Sequence, residues 1–172
     1  MMKYKTSIQT MNSTRIIAID PGYDRVGVAV LEKKPGAKEV VLYSTCITTN
    51  QKQSIAERIF VIGTEIARVI SEYTPVALAI EKLYFTTNQK TAMGVSEARG
   101  VIIYEALRAH LTLFEYTPIE IKVAVTGYGK ATKDAVHLMI NKLVSLEKQR
   151  RFDDEIDAIA IGLTCLAREK FK

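Results

Sequence analysis

The stretch Arg15-Ile-Ile-Ala-Ile-Asp20-Pro-Gly22-Tyr-Asp-Arg-Val26-Gly27-Val-Ala-Val-Leu31 decides the architecture. A β-branched apolar run stops at an acid followed by Pro-Gly, and alternating small and branched residues resume at Val26. This reads as a strand, a tight turn and a second strand. The Lys33-Lys-Pro-Gly36 break separates that hairpin from Glu39 to Ile47, whose Val, Leu, Tyr and Thr content suits a third, antiparallel strand. The chain therefore opens as a three-stranded meander.

Beyond it, Ile55, Ile59, Ile62, Ile66 and Ile70 recur at helical spacing, so Ser54 to Tyr73 is expected to be a helix covering the sheet. Val76 to Ile80 is a short continuous apolar run of the kind buried on both faces, and it ends in Glu81. Thr91 to His110 is helical in pattern, with Ser96 and Gly100 keeping part of its surface slim. Thr112 to Tyr116 is a fifth strand, which Pro118 ends, and Gly127 and Gly129 mark a flexible loop. Ala131 to Leu146 and Asp154 to Lys170 are two further amphipathic helices. The order of elements predicts an α/β fold: a five-stranded mixed sheet of order 3-2-1-4-5 flanked by helices, with the first strand central. Residues 1–14 read as an N-terminal extension and 15–172 as one domain.

With 172 residues, 48% of them apolar, the chain has enough material for one good core and too little for two full domains. No apolar stretch approaches the roughly 20 residues that span a bilayer, so a membrane protein is not expected. The opening residues lack the apolar block of a signal peptide, which points to the cytoplasm. Cys46 and Cys165 are far apart and form no metal or redox pair, as expected of buried reduced thiols. A net charge of +5 is compatible with a polyanionic partner, without requiring one.

Chemistry concentrates in the acids. Asp20 and Glu81 each end an apolar strand, and sites in open α/β sheets form at the carboxyl ends of parallel strands. Asp154 and Asp157 are three apart in a helix and share a face. Such carboxylates are costly to ionise together unless a cation lies between them, and a hard divalent ion with phosphate oxygens in its shell is the natural one. Taken singly, each has a bland explanation. Asp20 before Pro-Gly suits a turn, Glu81 a solvated strand end, and Asp153, Asp154 and Glu155 a helix N-terminus. Asp157 stands out alone, enclosed by Ile156, Ala158, Ile159 and Ala160. Asp153 precedes Asp157 by four positions and competes with Asp154 for the fourth role.

Four segments carry a family resemblance: Ile19-Asp-Pro-Gly22 with Gly27, Ile80-Glu-Lys-Leu-Tyr-Phe85, Glu97-Ala-Arg-Gly100, and Asp154-x-x-Asp157-Ala-Ile-Ala. From about Arg15 to Ala167, in motif order and spacing, the chain resembles the RuvC-type Holliday junction resolvases. The resemblance implies an RNase H-like fold and a homodimer. It also implies metal-dependent nicking of four-way or branched DNA that leaves 5′-phosphate and 3′-hydroxyl ends, with two Mg²⁺ per subunit and Mn²⁺ as a substitute. Asp20, Glu81, Asp154 and Asp157 fall on the four catalytic, metal-binding acids. Tyr84 falls on an aromatic that contacts unstacked bases, and Lys122 and Lys133 on lysines that meet the DNA backbone. A branch-migration helicase is a candidate partner, and the helix from Thr91 to His110 is the candidate dimer surface. Two departures, the extension through Thr14 and Lys82 where Gln is frequent, leave open a cellular resolvase or a divergent viral relative. Two other readings share the first motif. A YqgF-like RNA nuclease matches the later motifs less well. An actin-like or sugar-kinase phosphate-binding domain would need a second domain and a second glycine-rich turn.

Overall fold

The computed structural model describes residues 13–83, 89–146 and 151–171. The chain runs β1 (Thr14–Asp20), β2 (Arg25–Lys33), β3 (Val40–Thr48), α1 (Ile55–Tyr73), β4 (Ala77–Glu81), α2 (Gln89–Arg108), β5 (Thr112–Tyr116), α3 (Pro118–Thr126), α4 (Lys133–Leu143) and α5 (Asp153–Arg168). The five strands form one sheet in the order β3-β2-β1-β4-β5. The meander pairs antiparallel, while β1–β4 and β4–β5 are parallel.

The continuous apolar runs of β1 and β4 have a direct cause: both sheet faces are covered. Ile17, Ile19, Leu78 and Ile80 pack in one cluster with Ile62 and Ile66 of α1 and Ala98 and Ile102 of α2. Ile16, Ala18, Ala77 and Ala79 pack on the opposite face against α3, α4 and α5. The capping box between Ser54 and Glu57 starts α1, which buries Ile62, Ile66 and Ile70 as its pattern predicts; Ile55 stays 39% exposed at the first turn.

One element departs from expectation. Pro118 ends β5, but it also begins α3 at the first helical position, where its missing N–H costs nothing. Thr117 and Glu120 form a capping box, and Gly127 closes the helix in the left-handed region at φ 77°. The expected loop therefore shrinks to the turn around Gly127–Lys130, and Lys122 lies on a helix. The other bounds shift by a few residues: α2, expected to reach His110, stops at Arg108, and His110 takes φ 61°.

Helix α5 lies nearest the sheet because two glycines let it. A Cβ on Gly162 would come within 2.3 Å of Leu31 Cδ1, and one on Gly27 within 1.9 Å of the Asp154 carbonyl oxygen. Gly27 pairs with Asp20 across β1–β2. The close approach thus sets the first turn of α5 beside the end of β1.

Candidate active site

Register places the first two acids. Ile19 of β1 is level with Ile80 of β4 in the parallel pair, so Asp20 and Glu81 leave adjacent strands side by side. The third acid, Asp157, projects from α5 onto the same spot. All three line a cavity of about 280 Å³ together with Lys122, Lys133, Pro118, Ile121 and Val136. Expectations for Asp20, Glu81, Asp157, Lys122 and Lys133 thus converge on one place, although three helices and two strands contribute.

The electrostatics follow from that crowding. Burial, then the charges of Glu81, Asp157 and Asp154, push the Asp20 carboxyl up to about 7. Glu81 is raised in the same direction, first by burial and then by Asp157. Lys133 answers part of this charge: its Nζ lies 3.0 Å from Asp157 Oδ2 and 3.4 Å from Asp153 Oδ2. Burial would lower the Lys133 ammonium, but its hydrogen bond to Asp157 and the acids around it outweigh that and raise it.

The two competing acids at the start of α5 have different surroundings. Asp153 has a side chain 67% exposed and pairs with Lys133 at 3.4 Å. Asp154 is 19% exposed, lies 3.3 Å from Arg25 Nε, and contributes to the charge felt by Asp20. It does not line the cavity itself, because Arg25 holds its carboxylate toward β2. Tyr84 falls outside the described residues.

Two residues near the acids had no assigned part in the sequence reading. Arg99, within the Glu97-Ala-Arg-Gly100 motif, donates from Nε to the Glu81 carbonyl at 3.3 Å and pairs with Glu115 of β5. It thereby ties α2 to the end of β4; the motif flagged the segment but not this contact. His137 stands 3.4 Å from Asp157 Oδ1. Its signal was positional, since it follows Lys133 by one helical turn.

Among the described residues, no three acid, imidazole or thiol side chains rest close enough to enclose an ion. The donor set nevertheless fits a hard divalent cation in kind. It consists of carboxylate oxygens alone, mutually repelling, on a shared cavity, with one carboxyl driven to about 7 by burial and by the neighbouring acids despite Lys133.

A sheet of this order, with acids at the ends of its central strand and parallel neighbour met by a helical acid, is that of the RNase H-like fold. The yeast mitochondrial Holliday junction resolvase shares the fold at a TM-score of 0.65 and 11% identity, over 88% of this chain and 77% of that one. Within that class, the chain belongs to the crossover junction endodeoxyribonuclease RuvC family, whose model matches residues 16–165. It is 44% identical over 155 residues to the RuvC endodeoxyribonuclease of Thermosipho melanesiensis, covering 90% of this chain and 98% of that protein. The Halothermothrix orenii relative is 39% identical over 86% of this chain and 89% of its own. A solved structure of Thermus thermophilus RuvC in complex with a Holliday junction substrate superposes at a TM-score of 0.84 and 28% identity, covering 90% and 93% of the two chains. The family is one of metal-dependent nucleases. Among the described residues, no helix is long and apolar enough to cross a membrane.

Proposed function

We infer that this chain resolves Holliday junctions, hydrolysing phosphodiesters of four-way DNA in paired nicks that leave 5′-phosphate and 3′-hydroxyl ends. The observation that carries the reading is the meeting of Asp20, Glu81 and Asp157 with Lys122 and Lys133 on one cavity, in a chain of this family. It favours a resolvase over the RNA-nuclease and phosphate-binding alternatives, which lack the family match.

Asp20, Glu81, Asp157 and Asp154 are the proposed ligands for two Mg²⁺ ions, with Mn²⁺ as a substitute. Bound there, such ions would supply activation of the attacking water and charge stabilisation at the leaving oxygen. Asp20 holds the central place because it feels all three other acids. Asp154 joins when its carboxylate turns from Arg25. Lys122 and Lys133 set positive charge on the cavity wall, where it opposes that of a scissile phosphate and holds the backbone in register. Tyr84 is assigned to stacking on an unstacked base at the junction centre, a contact that contributes about 1 to 3 kcal/mol without reading sequence.

Paired nicking calls for two active sites, and a homodimer formed through α1 and α2 supplies them. Support comes from that face: Phe60 and Tyr104 are 74% and 63% exposed beside a groove lined by Ile59, Gly63 and Val101. Residues 1–14 are read as an extension preceding the nuclease domain, the cytoplasm as the place of action, and a branch-migration helicase as a partner.

The deciding experiment incubates the protein with a mobile four-way junction, with and without Mg²⁺, and maps the cuts on each strand. Symmetrical Mg²⁺-dependent nicks near the branch point are expected. Intact junction DNA alongside degraded structured RNA would overturn the reading.

A further inference from the structure

Asp157 is gripped from one helix at both of its oxygens. Thr132 caps α4 by accepting the Ala135 N–H at 3.2 Å, which fixes the first turn. Residues 133 and 137 then share a face. Lys133 Nζ lies 3.0 Å from Oδ2, and His137 Nε2 lies 3.4 Å from Oδ1. The two grips differ in kind. Lys133 is 52% exposed at the end of a flexible stem and divides itself between Asp157 and Asp153. His137 is only 18% exposed, a planar ring on a helix whose Val136 and Ile140 are anchored in the core.

We propose that His137 is a positioning residue for Asp157: its ring N–H holds Oδ1 so that Oδ2 faces the cavity. The proposal rests on Asp157 being a metal ligand. Oδ2, which the Lys133 ammonium holds in the absence of an ion, would be the oxygen offered to a divalent cation, and Lys133 would then be left for the substrate phosphate. An imidazole N–H on Oδ1 does not occupy the same oxygen. It keeps the carboxylate from rotating while the exchange takes place. Hydrogen bonds of this type, one shell out from a metal, commonly change metal affinity by about 10- to 100-fold.

The test measures Mn²⁺ binding to DNA-free protein by titration calorimetry, beside the wild type, for four variants: His137→Ala, His137→Asn, His137→Gln and Asp157→Asn. The Gln side-chain nitrogen reaches as far as Nε2, whereas that of Asn stops short. Ala and Asn are expected to weaken Mn²⁺ binding by about 10- to 100-fold, and Gln to restore it close to wild type, with junction binding in chelator unchanged throughout. Wild-type Mn²⁺ affinity in His137→Ala, alongside its loss in Asp157→Asn, would overturn the positioning role and leave the metal site standing. A Gln variant as weak as Ala, with an equally lowered unfolding temperature, would also overturn it, reducing His137 to packing. Undiminished binding by Asp157→Asn would remove the site assignment and this inference with it.

Discussion

Asp20 bears the largest electrostatic cost at the site, and that cost has a measurable sign. Because its carboxyl is raised from an ordinary 3.8 to about 7, Asp20 favours the folded state fully below 3.8. That contribution is lost as pH rises through about 7. In chelator, wild-type stability is therefore expected to decline across this window, by at most about 4 kcal/mol from this group. Asp20→Asn should flatten the decline, as read by urea midpoints at pH 5 and pH 8. The same substitution, like Asp157→Asn, is expected to abolish Mg²⁺-dependent cleavage while junction binding in gel shifts persists. Normal cleavage by either would sink the assignment. At limiting Mg²⁺, wild-type cleavage should climb through about pH 7 as Asp20 loses its proton, and the midpoint should move to lower pH when Mg²⁺ is increased. Asp20 and Glu81 were readable in the chain because an acid ending an apolar strand is conspicuous. Asp153 and Asp154 could not be told apart, since spacings of three and four both face Asp157; in the fold Asp154 sits against Gly27 and Arg25, whereas Asp153 pairs with Lys133.

At the level of elements, α5 and α3 do most to assemble the site. Helix α5 reaches the acids only because Gly27 leaves room for the Asp154 backbone. Gly27→Ala should force the two apart and lower stability by about 1 to 3 kcal/mol, the usual range for overpacking. Cleavage should fall further than stability, because Asp154 and Asp157 move together. A variant with wild-type cleavage would show that the contact is easily relieved. Helix α3, which carries Lys122 and Ile121 to the cavity wall, is not among the elements expected from the sequence, because Pro118 reads there only as a strand terminator. Its signal was present as Thr117-Pro-x-Glu120 followed by Gly127. Thr117→Ala is expected to cost about 1 kcal/mol of stability, measured as a shift in denaturant midpoint, with cleavage reduced only modestly.

At the scale of the molecule, the sheet divides the labour between its faces: α3, α4 and α5 build the acidic cavity on one, and α1 and α2 cover the other and present Phe60 and Tyr104 to solvent. Phe60→Glu combined with Tyr104→Glu should yield a monomer in sedimentation with an unchanged circular dichroism spectrum, and paired nicking should collapse to nicking of single strands. A dimer that survives the pair would move the interface elsewhere. Sheet order, the central place of β1 and the acids that end β1 and β4 could be read from the chain alone. They depend on hydrophobic period, turn residues and strand ends, which are local in sequence. The cavity, the pairing of Asp154 with Arg25, the tie from Arg99 to Glu81 and the grip of α4 on Asp157 emerged only in three dimensions. Each joins side chains from different elements, and which atoms meet is set by strand register and by how closely a helix packs on the sheet. No spacing along the chain encodes either of those.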